Sequence, residues 1–198
     1  SEAHVPVHMT GMAMMGVSGP ATIAGDLVVN HAETLALAAA MQAHTPGSPV
    51  IYGSVISNMD PRTGAIQLAS PEALLLCVAA HEMAKYVKMP SSSGGLGSNA
   101  KTPGVQSTLE NSMLALASTL TGQEVNNGIG MLDCSTVLSY EQMMIDDDII
   151  GRAHQLQALR IKHLAVQLID LGHHVALDLD DIGADLPTDG KREDRLAL

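Results

Sequence analysis

The chain has 198 residues, of which 46% are hydrophobic and 16% charged, with a formal net charge of −11. A chain of this composition is ordered and core-forming, and its longest apolar stretch breaks well short of membrane-spanning length. The negative balance opposes non-specific binding to nucleic acid or to anionic membranes.

One pattern recurs four times between His4 and about Leu171: a short apolar run, a loop rich in Gly, Ser and Asn, then an apolar segment of helix length. The first unit has Val5-Pro-Val-His-Met9, a loop from Gly11 to Gly19, and a helix entered at Pro20 that continues to about Ala43. The second has Pro49-Val-Ile-Tyr-Gly-Ser-Val55, a loop containing Asp60-Pro-Arg-Thr-Gly64, and a helix opened by Ser70-Pro71-Glu72. That start has a mechanism: a hydroxyl at the N-cap, Pro at the first helical position and an acid in the first turn, where the helix dipole favours it. The third unit has Val87-Lys-Met-Pro90, the run Ser91-Ser-Ser-Gly-Gly-Leu-Gly97, and a helix from about Val105 to Thr121. The fourth has Val125-Asn-Asn-Gly-Ile129, a loop through Ser135 and a long helix from about Tyr140. Gly122 and Gly172 are candidate C-caps, because glycine takes the left-handed conformation without a Cβ penalty.

Strands alternating with helices predict parallel βαβ units with right-handed crossovers. The expected fold class is α/β, with four βα units over residues 1–172 equivalent to half of a TIM (β/α)8 barrel; a whole barrel typically needs about 250 residues. Residues 173–198 read as an acidic, mobile tail. The N-terminus carries no evident secretory signal, and the cytoplasm is the expected compartment.

Phe and Trp are absent, and rings come only from Tyr52, Tyr86 and Tyr140; twelve Met residues take their place as flexible fillers. Met12, Met14 and Met15 crowd the first loop, where packing competes with an apolar ligand site. Cys77 and Cys134 have no paired spacing and read as reduced thiols. The nine His residues include no set with zinc-ligand spacing; His81-Glu82 lacks the second His of HExxH, and no metal is expected. Asp146-Asp147-Asp148 point in three directions on a helix and are expected in solvent.

Ligands of parallel α/β folds bind at the carboxyl ends of the strands, so the chemistry belongs in the four loops that follow them. Gly94-Gly95-Leu96-Gly97 superficially resembles a phosphate loop but lacks the GxxxxGK[ST] spacing, which argues against a nucleotide.

Several of these segments resemble the trimethylamine methyltransferase superfamily. The likeness runs through Gly16-Val-Ser-Gly-Pro-Ala-Thr-Ile-Ala-Gly25 with Asn30 and Ala32-Glu33, Pro46-Gly-Ser-Pro-Val-Ile-Tyr-Gly53, Asp60-Pro-Arg-Thr-Gly64 and Ser70-Pro-Glu72. It continues in Gly94-Gly95 with Asn99-Ala-Lys101 and Pro103, then Ser139-Tyr-Glu141 with Ile145-Asp-Asp-Asp-Ile-Ile-Gly151. In order and spacing these cover residues 5 to 151 and fit the second half of that family's barrel.

The resemblance implies corrinoid-dependent methyl transfer, from trimethylamine or a betaine to Co(I) cobalamin carried by a separate corrinoid protein. Methanogenesis is the implied setting. Such an enzyme needs chiefly to hold a methylammonium centre in line with cobalt and to exclude water. Cations are held by rings or carboxylates, which leaves Tyr52, Asp60 and Asp133; with Arg62, Lys101 and Asn127 added for substrate contact, the substrate-binding candidates are Tyr52, Asp60, Arg62 and Asn127 and the catalytic ones Lys101 and Asp133. Pyrrolysine-containing members carry that residue in this half of the barrel; this chain has none, and Lys101 falls in the region where its equivalent is sought, the alternative being a solvated loop lysine. The family pattern His-x-x-Gly-x-Leu-Glu stands here as Asn127-Gly-Ile-Gly-Met-Leu-Asp133, an amide for an imidazole and a carboxylate shortened by one methylene.

Half a barrel leaves strand edges unpaired. Three outcomes follow: a fragment of a longer enzyme, a homo-oligomer that pairs its halves, or a non-catalytic binding or scaffold module.

Overall fold

The computed structural model describes residues 5–159. Up to Gln157 these lie in one compact unit, Ser1–Gln157; all but the start of the second unit, Ala158–Leu198, falls outside the described residues, and with it the expected C-cap at Gly172 and tail from residue 173.

The first unit opens with β1 (Val7–Gly11), a two-residue strand β2 (Met14–Met15) and α1 (Ile23–His44). The helix starts three residues beyond the expected Pro20. The Gly16 amide donates to the carbonyls of Gly19 and Pro20, folding residues 16–20 into a turn, and Thr22 then caps the helix by accepting from the Gly25 amide at 3.2 Å. After β3 (Val50–Ser54), β4 (Ser57–Met59) and β5 (Ile66–Gln67), α2 (Pro71–Tyr86) begins as its sequence dictates, with the Ser70 hydroxyl accepting from Ala73 at 3.0 Å.

The expected third strand at 87–90 is instead the closing turn of α2. Val87 and Met89 donate back to Met83 and Ala84, and Lys88 takes a left-handed φ of 56°. The strand proper, β6, is Ser91–Ser93; Pro90 has no amide proton and joins the sheet only by accepting from Tyr52 N at 2.8 Å. α3 (Val105–Thr121) has the expected limits, closed by Gly122 at φ 91°. The fourth strand, expected at 125–129, forms no ladder: Val125 N donates to Ser91 O and Asn127 O accepts from Leu96 N, which lays the segment beside β6. A hairpin of β7 (Met131–Leu132) and β8 (Val137–Leu138) precedes a helix, α4, covering residues 140–157 of this unit.

The main sheet is parallel in the order β1-β3-β6, so the α/β class with parallel strands holds. A smaller sheet, β2-β4-β5, and the β7–β8 hairpin were not foreseen. Side chains alternate along each strand. Met9, Tyr52 and Ser91 pair in one row whose side chains meet the helices; Thr10, Gly53 and Ser92 form the next row, on the opposite face. The core between sheet and helices holds Ala13, Tyr52, Ile56, Leu76, Ala80 and Ala84, with Met83 and Met89 filling its margins as methionines do.

The helices are unusually polar inside. α1 buries Asp26, Asn30 and Thr34, and α3 buries Ser107, Asn111, Ser118 and Thr119. His81 of α2 is buried against Ser91 Oγ and donates from Nε2 to Thr121 O at 2.8 Å; burial, with the Lys85 charge nearby, holds its pKa below the ordinary value. Of the three consecutive acids, Asp147 and Asp148 are exposed, but Asp146 is fully buried. It accepts from Asn111 Nδ2 at 2.8 Å, Gln142 Nε2 at 2.7 Å and the Gly130 amide at 2.8 Å, three donors that replace solvent. Among the described residues no helix is long and apolar enough to cross a membrane.

Candidate functional site

The loops that follow the parallel strands meet at one end of the sheet. The residue that joins them is Asn99. Its Nδ2 donates to Ile66 O at 2.7 Å and to Cys134 Sγ at 3.1 Å, while its Oδ1 accepts from Ala69 N at 3.2 Å. Glu110 of α3 holds this residue from behind, one carboxylate oxygen accepting from Ser98 Oγ at 2.6 Å and from Asn99 N at 2.9 Å. One amide thus spans the second, third and fourth loops.

The fourth loop is conformationally strained. Asp133, Cys134 and Ser135 all have positive φ, at 48°, 57° and 69°. A run of three left-handed non-glycine residues is costly and persists only where surroundings impose it. Here the Asp133 amide donates to Ala100 O at 2.8 Å, Cys134 N to Ser98 O at 3.3 Å, and Thr136 N to Asp133 O at 3.1 Å. The turn sets Asp133 and Cys134 on the wall of an open pocket of about 420 Å³, completed by Met14, Gly64, Ala65, Ile66 and Thr136.

The sequence candidates fall in different places. Asp133 lines this pocket, and Lys101, exposed, follows the Ala100 carbonyl to which Asp133 is tied. Asp60 and Arg62 occupy the turn between β4 and β5 whose far side, Gly64–Ile66, forms another wall; they pair at 3.4 Å. Hydrogen bonds from the Arg62 backbone and side chain hold the Asp60 carboxyl below its ordinary range.

Asn127 lies apart. Its Nδ2 donates to Ser92 Oγ at 3.0 Å on the helix-distant face of the sheet, and it borders a separate, largely apolar cavity of about 250 Å³ that also receives Cys77, Leu96 and Leu114. Burial pushes the Cys77 thiol up to about 12. The glycine run is spent on packing around this cavity: a Cβ on Gly94 would lie 2.5 Å from Cys77 Sγ, and one on Gly128 would lie 2.2 Å from Leu96 O.

Tyr52 is not at the rim. It is fully buried on the helix side, its hydroxyl 3.0 Å from His31 Nδ1, and desolvation raises its pKa to about 12. The alternation that pairs it with buried Met9 carries this placement. Three polar residues on the sheet face that Asn127 meets were not singled out as a group by the sequence: Ser92, bonded to Asn127, and, across β3, His8 and Thr10, 2.9 Å apart. Gly53 leaves their space open, since a Cβ there would lie 2.7 Å from both His8 Nε2 and Thr10 Oγ1. Their common face follows from period-two spacing once the register is known.

A parallel sheet with an open pocket, lined in part by Asp133, among its strand-following loops defines an α/β protein with a candidate site where parallel α/β folds bind their ligands. The family model described as Trimethylamine methyltransferase (MTTB) matches residues 1–169, and the chain belongs to that family. It is 38% identical over 152 residues to the glycine betaine methyltransferase of Desulfitobacterium hafniense (strain Y51), covering 76% of this chain and 32% of that protein. It is 38% identical over 147 residues to the trimethylamine methyltransferase MttB of Methanosarcina thermophila, covering 74% and 30%. The MttB of Desulfitobacterium hafniense (strain DSM 10664 / DCB-2) is 30% identical over 148 residues, covering 75% and 30%. The chain therefore spans about a third of the length of these curated relatives.

Proposed function

We propose that this chain forms the part of a (β/α)8 barrel equivalent to its C-terminal half and supplies one wall of the substrate site of a corrinoid-dependent amine methyltransferase. The observation that carries this reading is Asp133, placed by a strained turn on the wall of the open pocket at the carboxyl end of the sheet. A quaternary methylammonium centre carries a fixed positive charge and has no N–H to donate, and trimethylamine carries the same charge once protonated. It is held by charge and by apolar contact, which Asp133, Met14 and Ile66 provide together.

The pocket, at about 420 Å³, suits a small amine. A Co(I) corrinoid, presented by its own protein, supplies the nucleophile that takes the methyl group. The chain's own task is positional: Asp133 anchors the nitrogen, Asn99 and Glu110 keep the loops at fixed separation, and Met14 and Ile66 exclude water from one side. Transfer of a methyl group from a quaternary nitrogen would leave a neutral tertiary amine with a free lone pair. Arg62 and Lys101 are exposed cations on the two flanking loops, an arrangement that suits a betaine, whose carboxylate needs one.

The test is titration of the purified chain with glycine betaine and trimethylamine, followed by methyl transfer to Co(I) cobalamin. Betaine binding that weakens about tenfold or more in Asp133→Asn, a loss of about 1.4 kcal/mol, supports the site; equal binding by that variant removes it. The second reading is a binding module without turnover. Amine binding with no transfer of methyl would select it.

A further inference from the structure

α3 is built inside out. Its buried positions are mostly small or polar, whereas Val105, Leu109, Met113, Leu116 and Leu120 face solvent, Val105 at 88% and Leu109 at 61% exposure. Their spacing of 4, 4, 3 and 4 residues is that of a helix seam which packs on another helix. The stripe runs the length of the helix, about 25 Å. It carries no charge: the single ionisable residue of α3, Glu110, is turned toward the loop and bonded to Ser98 and Asn99. In a chain of net charge −11, an uncharged stripe is a surface on which like charge does not oppose a second copy.

Its shape is self-complementary as well. The ridge is flanked by two largely apolar grooves, one of about 190 Å³ toward α2, lined by Leu74, Leu109 and Met113 with Glu110 at its edge, and one of about 220 Å³ toward α4, lined by Leu116, Ile149 and Leu156 with Arg152, which pairs with Asp148. A ridge beside a groove is what a two-fold contact requires, because each copy's ridge enters the other's groove. The stripe lies between the grooves toward α2 and α4.

We propose that α3 is a homotypic docking surface, on which the α3 of a second copy packs antiparallel about a two-fold axis near Met113. The inference is independent of the substrate reading. In that arrangement Met113 lies close to its own copy, whereas the two Val105 residues lie at opposite ends of the contact.

Light scattering of the intact chain over a range of concentrations tests it. The wild type is expected as a dimer, and Val105→Lys with Leu109→Lys, both at exposed positions, is expected to halve the mass with an unchanged circular dichroism spectrum. Under mild oxidation Met113→Cys should form an inter-chain disulfide absent from the wild type and from Val105→Cys. A monomeric wild type, or a dimer indifferent to the lysine pair, overturns the proposal. So does a Met113→Cys chain that stays uncrosslinked, as when the chain's own carboxyl-terminal residues or a foreign partner cover the stripe.

Discussion

The side-chain amide of Asn99 donates to the carbonyl of Ile66 across a 2.7 Å gap, and the second loop thereby takes its position from the third. The same nitrogen reaches Cys134, so one amide ties two walls of the open pocket together. Replacing Asn99 by Ala strands the Ala69 amide and the Ile66 carbonyl. We expect a stability loss of about 1–3 kcal/mol, the cost of part-buried groups left unpaired, and weaker amine binding from a loosened pocket. Chemical denaturation and calorimetric titration on one sample read both effects. An affinity equal to wild type would leave Asn99 a structural role alone.

Tyr52 was chosen from the sequence as a ring for a cation, but its hydroxyl is engaged with His31 in the core. Tyr52→Phe should therefore cost about 0.5–1.5 kcal/mol of stability and leave amine affinity unchanged. A several-fold loss of affinity in a fully folded Tyr52→Phe chain would restore Tyr52 to the site.

Asp26 is fully buried, and neither carboxylate oxygen has a hydrogen-bond partner. Burial, with Glu33 adding to it, raises its pKa above the ordinary 3.8. Between 3.8 and the raised value the folded chain holds a proton that the unfolded chain releases. The group's stabilising share is thus whole below that range and is lost as pH rises through the folded value. Asp26→Asn, which cannot ionise, is expected to be more stable than wild type at pH 7, with the advantage shrinking as pH falls toward 4. Unfolding titrations across that range check the sign.

Asp146 is the buried member of an acidic triplet, and its three donors come from α3, α4 and the backbone of Gly130. An Asn in its place turns an amide against one of those donors. Asp146→Asn should lose about 1–3 kcal/mol, a fall of roughly 2–4 °C in Tm for each kcal/mol in a chain of this size. Asp147→Asn, exposed, should stay within about 0.5 kcal/mol of wild type. Equal losses in the two variants would mean that triplet charge, rather than burial of Asp146, sets the cost.

Only part of the candidate pocket is legible in the residues. Asn127 and Asp133 stand out by their place after the fourth apolar run; Asp133 lines the open pocket, whereas Asn127 borders a separate cavity. The link between Asn99 and Ile66 was hidden, because it joins residues 33 positions apart and no local pattern encodes such a pair. In the sequence Asn99 is one residue of the Asn99-Ala-Lys101 motif; its three side-chain partners, Ile66, Ala69 and Cys134, meet it only when the loops are brought together.

The sequence by itself determined what depends on near neighbours: α2 from its Ser70-Pro71-Glu72 start, α3 as far as its Gly122 cap, and the apolar runs that became β1 and β3. Caps, turn residues and periodicity act over a few residues and can be read in line. Only the tertiary structure decided which face of each element is covered. It buried Asp26, Asn30 and Asp146 and left Val28, Leu109 and Met113 in solvent, against their hydropathy. It also ended the sheet ladder at β6, where the expected fourth strand keeps only isolated bonds. Burial depends on what packs above a residue, and that is set by segments far away in the chain.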